Sequence, residues 1–161
     1  MVKASVKVIA GSAICIGLVA SSLILLGPNL PLLLGVDVPF EEIDKGDKSS
    51  GYTLRANLTI RDAAAWECLW LEIHGGGFSI PELPAINFTS ETIIAVFRGY
   101  CGGGGFWTRI TRIISTSTYY MVYVEESLYG DLTEVITYPY HIVKISDVPV
   151  NMQFQFTYNA V

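Results

Sequence analysis

The stretch from Asp62 to Gly77, DAAAWECLWLEIHGGG, decides the fold class of this chain of 161 residues. Asp62 is a good helix N-cap, because a carboxylate can accept a hydrogen bond from an unpaired N–H group of the first turn. The glycines at the end of the stretch stop a helix. The large apolar residues between these signals recur at the i, i+3, i+4, i+7 spacing of one helix face: Trp66, Leu69, Trp70 and Ile73. The pattern predicts one amphipathic helix, the one substantial helix of a domain spanning residues 51–161.

The sequence around this helix predicts strands. Residues 52–60 alternate apolar and polar side chains, as a half-buried strand does. Short apolar or alternating runs predict further strands at 92–97, 106–114 and 119–124, two within 133–145, and one at 151–159. About six strands with one amphipathic helix predict an α+β domain made mainly of antiparallel sheet. Residues 37–50 (DVPFEEIDKGDKSS) are expected to form a polar linker before this domain.

Residues 1–36 are predicted to form a membrane anchor or a signal segment. Residues 8–26 carry no charge, and a helix of about this length just spans a hydrocarbon core of roughly 30 Å. Lys3 and Lys7 precede the run and all fifteen acidic residues follow it, which favours N-in, C-out topology. Leu18 is a poor third-from-last residue for cleavage after Ala20, so a retained anchor is favoured over a cleaved signal. The domain is therefore expected outside the cytoplasm, at the cell surface.

The charges and cysteines limit the partners of this extracytoplasmic part. After residue 36 there are eight Lys and Arg (ten less the two before residue 8) against fifteen Asp and Glu. This acidic balance argues against a nucleic-acid partner, because phosphate contacts need clustered Lys and Arg. Cys68 and Cys101 could pair in an oxidising compartment, or both could be small buried side chains. Asn57-Leu58-Thr59 and Asn87-Phe88-Thr89 are glycosylation sequons, which permit a surface location.

A second glycine run, Gly102 to Gly105, raises the question of an enzyme. A phosphate-binding loop needs glycines that lead into a helix, whereas these lead into FWTRITRII, a predicted strand without a lysine. Cys101 and His141 lack the third group that orients a nucleophile–base pair, and His74 and His141 have no ligand partner at metal-site spacing. The sequence contains no HExxH, GxSxG or EF-hand pattern. We therefore expect no catalytic, cofactor or metal site, and we expect the glycines to form a structural turn.

Residues 43–145 resemble the protease-complex accessory subunits of the PrcB type, in their C-terminal domain. The matching motifs occur in the family's order, although Asn87 stands where Asp is usual and Phe106 where Tyr is usual. They are Gly46 to Gly51, the helix with Trp66 and Trp70, Pro84 to Phe88, Ile93 to Gly99, Gly104-Gly105-Phe106, and Pro139-Tyr140-His141-Ile142-Val143. The resemblance implies a small extracytoplasmic domain without known chemistry that partners a surface protease. It also implies that the last two motifs form a turn and a surface used in recognition.

Three functions are open at this point. The favoured one is a membrane-anchored, non-catalytic protein-binding module that stabilises a surface or secreted protease. The alternative is a self-assembling, pilin-like surface subunit whose strand at 150–158 completes a neighbour's sheet, although this strand is more simply expected to pack on its own domain. A third is an enzyme inhibitor or ligand-binding module with an aromatic surface. The aromatic residues considered for that surface, which could equally form the core, are Trp107, Tyr119, Tyr120, Tyr123, Tyr138 and Tyr140.

Overall fold

The computed structural model describes residues 35–49, 51–77, 79–131 and 133–161 of the chain. The predicted anchor at residues 8–26 lies outside these ranges. Within them, no helix is long and apolar enough to cross a membrane. The elements are β1 (Val36–Asp37), β2 (Glu41–Gly46), β3 (Ala56–Ile60), α1 (Ala63–His74), β4 (Glu91–Phe97), β5 (Thr108–Ser115), β6 (Tyr119–Glu126), β7 (Tyr140–Ser146) and β8 (Gln153–Ala160).

These strands form two four-stranded sheets packed face to face. The central sheet has the order β2-β7-β4-β3, and the outer sheet has the order β1-β5-β6-β8. The helix α1 covers the other face of the central sheet, so the layers run helix, central sheet, outer sheet. Neighbouring strands are antiparallel except β6 and β8, which are parallel. The described residues therefore confirm an α+β fold dominated by antiparallel sheet.

The strand β4 lies at the centre of the hydrophobic core. Ile93, Ala95 and Phe97 face the helix, whereas Ile94 and Val96 face the outer sheet, and all five are almost completely buried. Removing a large aliphatic or aromatic side chain from water stabilises a fold by about 1.5–3 kcal/mol. A strand buried on both faces needs no polar side, which is why this segment reads as an uninterrupted apolar run.

The helix α1 forms where the sequence predicts it. The Asp62 carboxylate accepts a hydrogen bond from the N–H of Ala65 at 2.9 Å, and the N–H of Gly75 closes the last turn on the carbonyl of Leu71. The four residues of the predicted apolar face are all buried against the central sheet: Trp66, Leu69, Trp70 and Ile73. The N-cap, the apolar face and the glycine stop are thus confirmed.

The prediction of a polar linker at residues 37–50 is wrong. Half of this segment forms the end of β1 and all of β2, inside the unit that begins at Gly35. The strand β2 pairs with β7 from Glu41 to Gly46 and is the edge of the central sheet. An edge strand is solvated along one side, so it tolerates the charged residues that made the segment look like a linker.

A bulge explains the mixed pattern of the run predicted at 106–114. In β5 the pairing with β6 shifts between Ile110 and Arg112, which inserts one residue into the strand. Ile110 and Ile113 are both buried in the same cluster although they differ in parity. The bulge brings the two onto one face, which an unbroken alternation cannot do.

The last part of the chain forms fewer strands than the sequence predicts. Instead of two short strands within 133–145, the structure has the single strand β7, preceded by isolated bridges at Thr137 and Tyr138. The strand predicted at 151–159 is β8, which pairs with β6 of its own chain along its whole length. It therefore packs on its own domain, which is the simpler of the two arrangements expected from the sequence.

Candidate functional site

A cleft opens where the two sheets meet, at the end formed by the last residues of β2 and the first residues of β5 and β7. Its volume is about 330 Å³, and we call it the motif cleft. Gly46, Phe106 and Tyr140, which come from three separate motifs of the sequence, lie together in its wall. The complete lining is Lys45, Gly46, Asp47, Phe106, Trp107, Thr108, Arg109 and Tyr140.

Gly46 and Tyr140 form the wall on the central sheet. They are paired residues of β2 and β7, and a side chain at Gly46 would collide with the ring of Tyr140. The ring is buried, and its hydroxyl donates a hydrogen bond to Asp44 at 2.8 Å. Burial, followed by this contact with Asp44, raises the pKa of Tyr140, so the phenol remains a neutral donor. The ring packs in the helix-facing core, which holds this wall in place.

The glycine run forms the turn that delivers Phe106 to the cleft. Gly105 has a φ of 69°, a conformation that only glycine adopts without strain. Gly104 is buried, accepts a hydrogen bond from the N–H of Asp131, and leaves no room for a side chain beside Thr133. As the sequence predicts, the run leads into a strand and serves as a structural turn. The guanidinium of Arg98 lies 4.8 Å from the centre of the Phe106 ring.

Trp107 is the large exposed side chain of the cleft, with 38 % of its surface accessible. Its backbone is held on both sides, because its N–H donates to the Ser127 hydroxyl at 3.1 Å and its carbonyl accepts from Arg98 at 3.0 Å. The guanidinium of Arg109 lies 5.6 Å from the centre of its ring system. The indole is therefore presented to solvent from a rigid support.

A partly buried ion pair ties the two sheets together beside this support. The carboxylate of Glu126, at the end of β6, accepts two hydrogen bonds from Arg55, just before β3, at 2.7 and 2.8 Å. Glu126 is only 8 % exposed, and Arg98 approaches the same carboxylate at 3.8 Å. Contact with Glu126 is the largest cause raising the pKa of Arg55. Paired charges in this position fix the offset of one sheet relative to the other.

His141 lies between the sheets, behind the cleft wall, and uses both ring nitrogens. Nδ1 accepts the N–H of Ile110 at 2.9 Å, so Nε2 carries the proton and donates to Glu42 at 3.0 Å. Burial lowers the pKa of His141, although Glu42 opposes this effect. The ring is therefore neutral and serves as a bridge from β7 to β5.

His74 and the two cysteines, Cys68 and Cys101, lie at three separate places in the fold. His74, on α1, contacts Asp44 at 3.0 Å on the opposite face of the central sheet from His141. Cys68 is exposed and Cys101 is buried, and both are free thiols, so the pairing left open by the sequence does not form. Burial raises the pKa of Cys101, which keeps the thiol protonated and unreactive. Among the described residues, no three His, Cys, Asp or Glu side chains gather at metal-binding distance.

The asparagines of both sequons are exposed, one in a strand and the other in a turn. Asn57 is in β3, and its side chain accepts a hydrogen bond from the hydroxyl of Tyr158. Asn87 lies in the turn before β4, and its side-chain amide oxygen accepts from the N–H and the hydroxyl of Thr89. Glycosylation at either position stays a prediction.

The recognition residues suggested by the resemblance divide into two groups. Phe106 and Tyr140 line the motif cleft, whereas Pro139 and His141 are buried behind it. The carbonyl of Pro139 accepts the N–H of Arg98 and so extends the pairing of β7 with β4. Sequence reasoning missed Lys45 and Asp47, since they lie at the end of a strand that was expected to be a linker. Only the three-dimensional pairing of β2 with β7 places them beside Tyr140.

Comparison with known proteins gives no match. No protein-family model matches the chain, and no curated protein and no solved structure shows significant similarity to it. The relationship to the PrcB type therefore stays a prediction.

Proposed function

We propose that this chain is a non-catalytic protein-binding module, anchored in the membrane by residues 8–26 with its domain on the extracytoplasmic side. In this proposal it acts as an accessory, stabilising subunit of a surface or secreted protease. The observation that carries the proposal is the motif cleft, where Trp107 is 38 % exposed. The backbone N–H of Trp107 donates to Ser127 and its carbonyl accepts from Arg98, so the exposed side chain has a fixed support.

The composition of the cleft suits the recognition of a protein chain. Tryptophan, tyrosine and arginine are the residues that most often dominate binding energy in protein interfaces. Here Trp107 and Arg109 stand at the opening, and Lys45 and Asp47 add charges of both signs. A volume of about 330 Å³ is enough to admit one or two side chains of a partner. The two nearby residues with catalytic potential have structural environments. His141 bridges two strands through both ring nitrogens, and Cys101 is a buried thiol of raised pKa.

Affinity capture tests the proposal. The full-length chain is isolated from its native membranes in mild detergent, and co-purifying polypeptides are identified by mass spectrometry. We expect a protease in fixed ratio to the wild-type chain, and a loss of at least tenfold in its recovery with Trp107→Ala, as for an interface hot spot. Leu71→Ala, which removes an exposed apolar side chain from the helix layer, is the control and leaves recovery unchanged.

The alternative of a strand-exchanging filament receives less support. β8 pairs with β6 of its own chain over eight residues, so it is already in use. Recovery of the chain alone, in long regular assemblies, would nevertheless refute the accessory role and favour a structural subunit.

A further inference from the structure

The strand β8 leaves one regular backbone edge of the outer sheet exposed. Val161, directly after β8, makes both of its backbone hydrogen bonds toward β6: its N–H binds the carbonyl of Glu126 at 2.9 Å, and its carbonyl accepts the N–H of Leu128 at 2.7 Å. Backbone groups of successive strand residues point to alternate sides. Phe154, Phe156, Tyr158 and Ala160 therefore direct their N–H and C=O groups away from β6, where the described chain supplies no further strand.

This edge lacks the features that protect the other edges of the molecule. β2 carries four charged residues among six and a bulge, β1 has two residues, and β3 has five residues between Arg55 and Arg61. In contrast, β8 has eight residues without a charge, a proline or a register shift. Natural proteins protect exposed edges with charges, prolines and bulges. An unprotected edge of this length is typical of a strand that pairs with another chain.

The sequence of β8 is complementary to itself. In an antiparallel pair of two β8 strands with Phe156 on the two-fold axis, Phe154 faces the partner's Tyr158, and Phe156 faces the partner's Phe156. On the opposite face Gln155 meets the partner's Thr157, and Gln153 meets the partner's Asn159. Aromatic pairs and polar pairs of this kind each stabilise a sheet, and no like charges oppose each other. Moving the axis to Thr157 would place Phe154 opposite Ala160 and lose an aromatic pair.

The surroundings of the strand permit this pairing. Phe154, Phe156 and Tyr158 are only partly buried in their own domain, so a second copy would cover more of them. The two nearby cations are already engaged, because Arg55 binds Glu126 and Arg61 donates to the backbone carbonyls of residues 149, 150 and 152.

We propose that the occupant of this edge is a second copy of the chain, joined through antiparallel β8–β8 pairing into one continuous outer sheet. Each chain has one such edge, and the contact uses the same surface on both copies, so the assembly closes as a dimer and does not grow into a filament. The motif cleft involves β5 and β2, which do not border this edge, and it stays open in the dimer. The proposal does not depend on what the cleft binds.

Disulfide trapping tests the pairing in the full-length chain, with Cys15→Ser and Cys68→Ser as background. Gln155→Cys together with Thr157→Cys places a thiol of each copy opposite a thiol of the other, at the short Cα separation of a non-hydrogen-bonded pair. The control, Gln155→Cys with Asn159→Cys, leaves its nearest thiols on the diagonal, beyond the reach of a disulfide. We expect mild oxidation in native membranes to cross-link the first variant at least tenfold faster than the control, as seen on non-reducing gels. Absence of cross-linking, or equal rates in both variants, would overturn the proposal.

A second pair of variants removes the association without altering the core. Gln155→Lys with Thr157→Lys opposes lysine to lysine on the solvent face of the dimer sheet, whereas Ser117→Lys with Thr118→Lys adds the same charge in the exposed turn between β5 and β6. We expect sedimentation in mild detergent to show a dimer for the wild type and the turn variant, and a monomer for the strand variant that still unfolds in one cooperative urea transition. A monomeric wild type, or a strand variant that remains a dimer, would contradict β8 pairing.

Discussion

The two faces of the central sheet are covered in different ways, although they share the strand β4. On the helix face, the indole N–H groups of Trp66 and Trp70 donate to the carbonyls of Pro84 and Pro81, both at 3.0 Å, in the segment that follows α1. The other face packs mainly branched aliphatic residues against the outer sheet, with aromatic residues such as Tyr120 and Phe154 toward β8. There, polar contacts cross the layer: His141 to Ile110, Arg55 to Glu126, and Tyr158 to Asn57.

This difference shows how each layer is positioned. Large aromatic side chains with a specific shape and one directional bond each can fix a helix on a sheet. Two sheets that meet mainly through branched aliphatic residues have a less specific contact. Directional bonds, which are costly to break, then help to determine the offset of one sheet from the other. Substitutions that change side-chain volume should therefore have the largest effect on stability on the helix face. On the face that packs against the outer sheet, substitutions that change charge or protonation should matter most.

The largest effect is expected from Trp66→Ala on the helix face. The substitution removes a completely buried indole and its hydrogen bond, and should lower the free energy of unfolding by about 3–5 kcal/mol. Urea unfolding of the full-length chain in mild detergent, followed by tryptophan fluorescence, measures it. Leu71→Ala, on the exposed side of the same helix, should change stability by less than about 0.5 kcal/mol. A small effect at Trp66 would mean that the helix layer contributes little to the core.

The second largest effect is expected from Glu126→Gln, on the face of the central sheet that packs against the outer sheet. The amide keeps the shape but loses the charge-assisted bonds to Arg55, which should lower stability by about 2 kcal/mol. Glu125→Gln is the matched control, since Glu125 is the preceding residue of β6 and makes no such bond to Arg55. Equal effects at the two positions would show that the ion pair does not hold the sheets.

His141 should make the sheet face sensitive to mild acid. Its pKa in the fold lies below its ordinary value of 6.5 because of burial, so the unfolded chain binds a proton first as pH falls. This titration should therefore leave stability unchanged above about pH 7 and lower it between pH 7 and pH 5. The carboxyl groups of Glu42 and Glu91, whose pKa values are lowered by their partners, contribute such a loss only below about pH 4.5.

His141→Asn separates this titration from the structural role of the ring. The asparagine oxygen can still accept the N–H of Ile110, while the bond to Glu42 is lost, at a cost of about 1 kcal/mol at pH 7. Urea unfolding at pH 7, 6 and 5 should show a smaller decrease in stability for this variant than for the wild type. An identical pH dependence would show that His141 is not the group responsible.

The smallest effect is expected at the helix N-cap. Asp62→Ala removes the bond to the N–H of Ala65 and should cost about 0.5–1 kcal/mol, or several degrees in the melting temperature. Asp62→Asn retains an acceptor and should stay close to the wild type. A thermal melt that leaves the alanine variant unchanged would contradict the cap assigned to this residue.

The same comparison explains how much of the structure could be predicted from sequence. The helix face was predictable because a cap, four large residues at helical spacing and a glycine stop are all local signals, from Asp62 to Gly75. The sheet face was not, since the bulge in β5 places Ile110 and Ile113 on one side only through pairing with β6. The strand β2 was mistaken for a linker because its charged residues suit an edge, and edges are defined by distant partners.

The candidate site was predictable only in part. The motifs indicated Gly46, Phe106 and Tyr140, but nothing in the linear pattern placed these residues in one cleft. The partners of His141 were equally hidden, because Glu42 and Ile110 lie on strands far from it in the chain. Directional contacts between elements that are remote in sequence leave no periodic signal.

The strand order also has a consequence for how the domain folds. Among the strand pairings of the described residues, only β5 with β6 is a hairpin, and β2 must wait for β7, whose first residue follows the start of β2 by about a hundred positions. Chains dominated by such non-local pairings fold in milliseconds to seconds, because loop closure must precede the contacts that reward it. During synthesis the β5–β6 hairpin would form early and offer β5 to β1, while β2 would stay without its partner until β7 is made. The nascent chain therefore exposes strand edges for longer than a protein built from successive hairpins.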